Sequence, residues 1–205
     1  MDARGNFISS HNLLAGFATG REDEQPSISA TRDGGFVLAF EFGGGDDDDI
    51  RFARFNAAVN RTETGTVVND TASDTTYLSP QIIWRPGGTS VVIYEKRLGE
   101  LEQIAYRVMS PDGSRGPEVI LRSDAGTTVG NPTDPSAALL DDGRVVVVFE
   151  EDDSGDEGIE YRIIERNGDL SGAINVSTSG RAFDPDVAAT TNGGFVVVWD
   201  QSDDN

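Results

Sequence analysis

With 205 residues the chain is long enough for one large domain with a sizeable core or for two small ones. Acids outnumber Lys and Arg by 36 to 16, and the formal charge of -20 argues against a nucleic-acid backbone or an anionic membrane surface as the main partner. Cysteine is absent, which removes disulfides, thiolate metal sites and thiol nucleophiles, and no apolar run reaches the roughly 18 residues of a membrane span.

In chain order, Met1 to Gly20 lacks the basic start and apolar stretch of a signal peptide, so any export signal is expected outside this chain. Pro26-Ser-Ile28-Ser-Ala30 alternates as a short strand, Arg32-Asp-Gly-Gly35 reads as a turn, and Phe36-Val-Leu-Ala-Phe40 is a continuous apolar strand. Ile50-Arg-Phe52 alternates again, and a polar turn through Asn56 to Gly65 precedes a weaker strand at Thr66-Val-Val68. The same order returns in Pro80-Gln-Ile82, Val91-Val-Ile-Tyr94, Ile104-Ala-Tyr106 and Val119-Ile-Leu121. It returns a third time from Pro135, with Val145 to Phe149, Ile159-Glu-Tyr161 and Ala173-Ile-Asn-Val176, and begins a fourth time with Pro185-Asp-Val187-Ala-Ala189 and Phe195 to Trp199.

The repeat has a fixed register. Pro26, Pro80, Pro135 and Pro185 are each followed eight residues later by a glycine (Gly34, Gly88, Gly143, Gly193), six further on by an aromatic residue (Phe40, Tyr94, Phe149, Trp199), and then at once by an acid (Glu41, Glu95, Glu150, Asp200). The prolines are spaced by 54, 55 and 50 residues, a period at which each unit buries its apolar face only against its neighbours. Five nearly continuous β-branched and aromatic residues in each second strand predict a strand covered on both faces. No helix-period segment lies between units, so helical solenoids and parallel βαβ folds are disfavoured.

Units of this length with four antiparallel strands are blades of an all-β propeller; an array of β-sandwich domains is the alternative, disfavoured because odd and even repeats do not differ. Residues 25–74, 75–130 and 131–183 are expected to be blades. Residues 1–24 match the end of a unit and 184–205 the beginning of one, so strands from both termini are expected to share a fourth, split blade. That blade lacks a counterpart of Ile50-Arg-Phe52. Closure within one chain, membership of a longer array, and a homo-oligomer in which copies complete one another all fit.

Charge concentrates in the loops between second and third strands: Asp46, Asp47, Asp48 and Asp49 after Gly43-Gly-Gly45, and Asp152, Asp153, Asp156 and Glu157. Hard cations take six to eight oxygen ligands, so calcium is the metal such loops would hold, while solvated acidic hairpin tips are the bland alternative. The corresponding loop of the second unit, Lys96 to Gln103, is not an acidic cluster. The recurring acid reads either as a carboxylate ring at the propeller mouth or as an acceptor of backbone hydrogen bonds, and its repetition favours the second. His11, the sole histidine, has no patterned nucleophile beside it, so a Ser/His/Asp arrangement or a histidine zinc site is not expected. Paired carboxylates can hydrolyse a glycoside, and 36 acids offer many pairs without singling one out.

The stretch from Pro185 to Trp199, with its Gly-Gly-Phe-Val-Val-Val-Trp end, and its looser copy from Pro26 to Phe40, resembles tandem repeats of large secreted bacterial RTX-associated proteins and, more generally, BNR-like propeller repeats. The chain carries neither the Gly-Gly-x-Gly-x-Asp nonapeptide nor the Ser-x-Asp-x-Gly-x-Thr-Trp spacing. The resemblance implies an extracellular or cell-surface bacterial protein. The function expected on this basis is a non-enzymatic binding or scaffold module, calcium-stabilised, whose loops on one propeller face recognise a glycan or protein ligand in adhesion. The alternative is a carbohydrate-active enzyme or lectin-like sugar-binding propeller using carboxylates in its channel.

Overall fold

Residues 22–43, 49–68, 75–123, 131–153, 156–177 and 181–202 are described by a computed structural model. They form strands and turns, with no helix among the described residues. The first sheet runs in the order β1 (Glu22–Ala30), β2 (Phe36–Gly43), β3 (Asp49–Phe55) and β4 (Arg61–Val68). The second is β5 (Thr75–Trp84), β6 (Ser90–Leu98), β7 (Leu101–Met109) and β8 (Val119–Ser123). The third is β9 (Thr133–Leu139), β10 (Val145–Asp153), β11 (Asp156–Ile164) and β12 (Ile174–Asn175), and the fourth, with two strands, is β13 (Arg181–Ala189) and β14 (Phe195–Ser202). Every pairing is antiparallel.

Each sheet begins with a hairpin whose glycine lies in the left-handed region, from φ 81° at Gly34 to 92° at Gly88. A side chain there would be strained, which is why the glycine recurs at one offset from the proline. In the first sheet the turn before β4 is shorter than the polar composition suggests. Asn56 Oδ1 accepts the N–H groups of Ala58 and Asn60, both at 3.0 Å, so the turn closes by Asn60 and β4 starts at Arg61 rather than Thr66.

The sheets stand side by side around an axis, and their first strands are innermost: β1 touches β5, β5 touches β9, and β9 touches β13. Ser27 Oγ accepts the N–H of Ile82 at 3.1 Å, and Ser29 Oγ accepts that of Trp84 at 3.0 Å, tying β1 to the open edge of β5. The core lies between sheets. Val37, Ala39 and Phe52 pack against Ile82, Val92 and Tyr94; Val91, Ile93 and Tyr106 against Val145, Val147 and Phe149; and Val146 and Val148 against Val187 and Val197. Alternate residues of β6 and of β10 thus serve opposite neighbours, which explains their continuous apolar runs. Each such side chain stabilises the assembly by about 1.5–3 kcal/mol.

The expectation of two covered faces holds for β2, β6 and β10 and fails for β14. Val196 and Val198 are 54% and 58% exposed, whereas Val146 and Val148 at the same places in β10 are at 0%. The side of β14 turned away from the third sheet has no further sheet against it among the described residues.

Candidate functional site

The geometry of the axis is set by an irregularity that all four inner strands share. The ladder slips just before each proline, between Glu24 and Ser27, Leu78 and Gln81, Thr133 and Ser136, and Phe183 and Asp186. The residue preceding the proline occupies the left-handed region in every case: Gln25 at φ 43°, Ser79 at 50°, Asp134 at 49° and Asp184 at 51°. Proline brings no N–H to the ladder and disfavours the right-handed helical region before it, so the chain bulges there. The displaced N–H is then donated to the preceding sheet. Ser79 N donates to Glu41 Oε1 at 2.7 Å, Asp134 N to Glu95 Oε1 at 2.9 Å, and Asp184 N to Glu150 Oε1.

The recurring acid is therefore a clasp between consecutive sheets, the backbone-acceptor role that repetition favoured. The aromatic residue before it is core: Phe40, Tyr94 and Phe149 are fully buried, while Trp199 is half-buried. Glu95 is buried and shares its carboxylate with Arg97 at 3.1 Å; burial pushes its pKa above the ordinary carboxylate range despite the N–H of Asp134 and the Arg97 charge.

Glu150 differs in company. Its clasp partner Asp184 and the neighbouring Asp134 both carry exposed carboxylates, where the first two sheets have Gln25 and Ser79. Partial burial raises the pKa of Glu150, and the charges of Asp134 and Asp184 raise it further, against the lowering effect of the Asp184 N–H and of Thr133, whose Oγ1 donates to Oε2 at 3.4 Å. At the strand-start mouth Glu150 is thus a half-buried carboxyl group that holds its proton to higher pH than usual, with the exposed carboxylates of Asp134 and Asp184 adding to the effect. A carboxyl group tuned in this way is suited to general-acid work.

The opposite mouth is formed by the hairpin turns. A cavity of about 340 Å³ there is lined by Arg32, Arg85, Pro86, Thr89, Asp141, Asp142, Gly143 and Arg166. Arg85, 6% exposed, donates from Nη2 to the carbonyls of Ile164 at 3.1 Å and Glu165 at 3.3 Å, capping the end of β11.

Of the residues expected to bind calcium, Asp49 heads β3 with its carboxylate 3.9 Å from Arg51. Asp46, Asp47 and Asp48 lie outside the described residues. Asp152 faces Glu157 and Asp153 faces Asp156 across the β10–β11 hairpin, and the side chains of these four lie outside what is described. Among the described residues no group of three or more metal-ligating side chains converges. Asp134, Asp184 and Arg85 were not singled out by their residue types. The available signal was disagreement between copies: acids before proline only in the third and fourth units, and an arginine where the other units have Thr31, Leu140 and Thr190.

No protein-family model matches the sequence, and no curated protein matches it. Solved structures do match in fold. An alpha-L-arabinanase of Penicillium chrysogenum, complexed with arabinobiose, superposes with a TM-score of 0.65 at 14% identity, over 85% of this chain and 58% of its own. An endo-arabinase of Bacteroides thetaiotaomicron gives 0.56 at 15% identity, over 94% of this chain and 74% of its own. An exo-beta-1,3-galactanase of Phanerochaete chrysosporium, with galactose, gives 0.54 at 13% identity, over 98% of this chain and 46% of its own. The chain thus spans little more than half the length of the first of these.

The likeness establishes the all-β propeller fold, and the resemblance read from the repeats holds at that level. It also corrects the expected function. The solved propellers that share this fold include an arabinanase, an endo-arabinase and a galactanase, and against them the expected non-enzymatic adhesion or scaffold module does not stand.

Proposed function

We propose that this chain forms a large part of a carbohydrate-active propeller that engages a glycan at the strand-start mouth of its axis and cleaves a glycosidic bond there. The observation that carries the reading is the setting of Glu150, half-buried with a pKa raised by that burial and by the charges of Asp134 and Asp184. Glycoside hydrolysis needs one carboxylic acid to protonate the leaving oxygen and a second carboxylate to act as nucleophile or to activate water. Glu150 has the setting of the proton donor, and Asp134 and Asp184 are the candidates for the second role. The neighbours act on arabinan- and galactan-type glycans by name, which makes such neutral polymers the first substrates to try. An extracellular or cell-surface bacterial location goes with this proposal, because polymeric glycans are met outside the cell.

The test is release of reducing sugar from arabinan, xylan and galactan, with binding followed in parallel by calorimetry. Turnover abolished by Glu150→Gln and kept by Glu41→Gln is the expected result, since glutamine still accepts the Asp184 N–H and preserves the clasp. Binding without turnover in the native chain would favour the lectin-like form of the proposal. Neither binding nor turnover on any of the three polymers would sink it.

A further inference from the structure

The hairpin-turn mouth lies at the other end of the axis from Glu150, Asp134 and Asp184. A guanidinium taken out of water needs a counter-charge or a full set of hydrogen bonds. Several other arginines of this acid-rich chain have a counter-charge: Arg97 pairs with Glu95 and Glu102, Arg107 with Glu118, Arg122 with Glu151 and Glu160, and Arg144 with Asp142 and Glu165. Arg85 is more buried than any of these, yet among the described residues no carboxylate lies within ion-pair distance of it; Nη2 donates to two neutral carbonyls, and Nε has no hydrogen-bond partner among the described residues. Arg32 and Arg166, on the same cavity, are likewise in no ion pair among the described residues.

The lining also contains two acids. Asp142 is engaged chiefly by Arg144, whose Nε donates at 2.7 Å and whose backbone N–H donates at 3.1 Å, and it also feels the charge of Arg166. Asp141 is exposed, so the lining sets three guanidinium groups against two carboxylates, one of them shared with Arg144. Arg166 lies beside the hairpin tip of the same sheet, where a Cβ on Gly143 would come 3.5 Å from its Nε. Pro86 and Thr89 complete the wall, and the volume of about 340 Å³ is ample for a small anionic group with its first waters. On a chain with a formal charge of -20 this is a local reversal of sign.

We propose that the hairpin-turn cavity is an oxyanion site, taking one sulfate, phosphate or carboxylate group, free or carried on an acidic sugar, with Arg32 and Arg166 as its direct contacts and the uncompensated charge of Arg85 behind them. Charge-assisted bonds from guanidinium to oxyanion supply both affinity and geometry.

Calorimetric titration with sodium sulfate, at an ionic strength held constant with sodium chloride, tests this on the whole chain. Saturable binding is expected for the native protein, weakened about tenfold by Arg32→Ala and by Arg166→Ala. Both side chains are exposed, so neither change threatens folding. Asp141→Asn is expected to tighten binding about threefold, an effect that loss of structure does not produce. In a second arm glucuronate is expected to compete with sulfate, and glucose is not. Heats indistinguishable from chloride, equal sulfate affinity across the native protein and the three variants, or glucose binding as tightly as glucuronate would each overturn the proposal.

Discussion

At the strand-start end of the axis stand Glu150, Asp134 and Asp184; at the hairpin-turn end, the length of one strand away, stand Arg32, Arg85 and Arg166. Both ends are built from the same inner strands and the same turn geometry, yet one concentrates negative charge and the other is the place where positive charge goes unanswered. Asp134 and Asp184 at one end, and Arg32, Arg85 and Arg166 at the other, sit at positions where the four copies differ, whereas Glu150 is one of the recurring acids. The positions at which the copies agree, the glycine in the left-handed region, the buried aromatic and the clasping acid, hold the sheets in register. Departure from the repeat sets the two ends apart, and at Glu150 a repeated joint meets a divergent setting.

The largest expected effect separates the two jobs of Glu150. Glu150→Gln and Glu150→Ala should both lower turnover by about 10²–10⁴-fold, the range for loss of a general acid. Only the alanine variant should also lose about 1–3 kcal/mol of stability in urea, because it leaves the Asp184 N–H without its acceptor. Equal stability of the two variants would break the claim that this acid clasps as well as reacts.

A second effect concerns the acidic mouth alone. Glu95 and Glu150 have folded-state pKa values above their ordinary one, so the folded chain binds more protons than the unfolded chain in the window between those values. Stability contributed by these groups is therefore present at low pH and falls as pH rises through that window. Glu95→Gln should flatten the decline in urea midpoint relative to the native chain. An unchanged slope would show that general repulsion among the acids, rather than these two burials, governs it.

The smallest effect probes the frame on which both ends hang. Val146→Ala should cost about 1–3 kcal/mol and Val196→Ala about 0.5 kcal/mol or less, although both occupy the same place in the repeat. A matching cost at Val196, read from thermal or urea unfolding, would mean that the open side of β14 is covered in solution.

The blade pattern was legible because it rests on local chemistry. Glycine at Gly34, Gly88, Gly143 and Gly193 answers a positive φ, and the runs around Val91 and Val145 answer burial on two faces. Where partners decide, the letters were silent. The run Phe195 to Trp199 reads like the others, but its burial depends on a neighbouring sheet, and Val196 and Val198 are exposed. Asp134 and Asp184 look like ordinary loop acids until the bulge and the clasp bring them to Glu150. Arg85 occupies a turn position that composition would leave in water, and only the packing of β11 beside it shows the guanidinium buried. The adhesion reading failed for a related reason, since a repeat describes how sheets adjoin and says nothing of what its odd positions contact.

The clasp has one more consequence. It reads only the main chain: glutamate receives an amide hydrogen that every residue except proline possesses, whatever side chain that residue bears. Serine in one copy and aspartate in two others make the same joint at Ser79, Asp134 and Asp184. The position nearest the axis is thereby uncoupled from cohesion, a socket into which mutation can fit new functional groups one blade at a time while the joint between blades stays as it was.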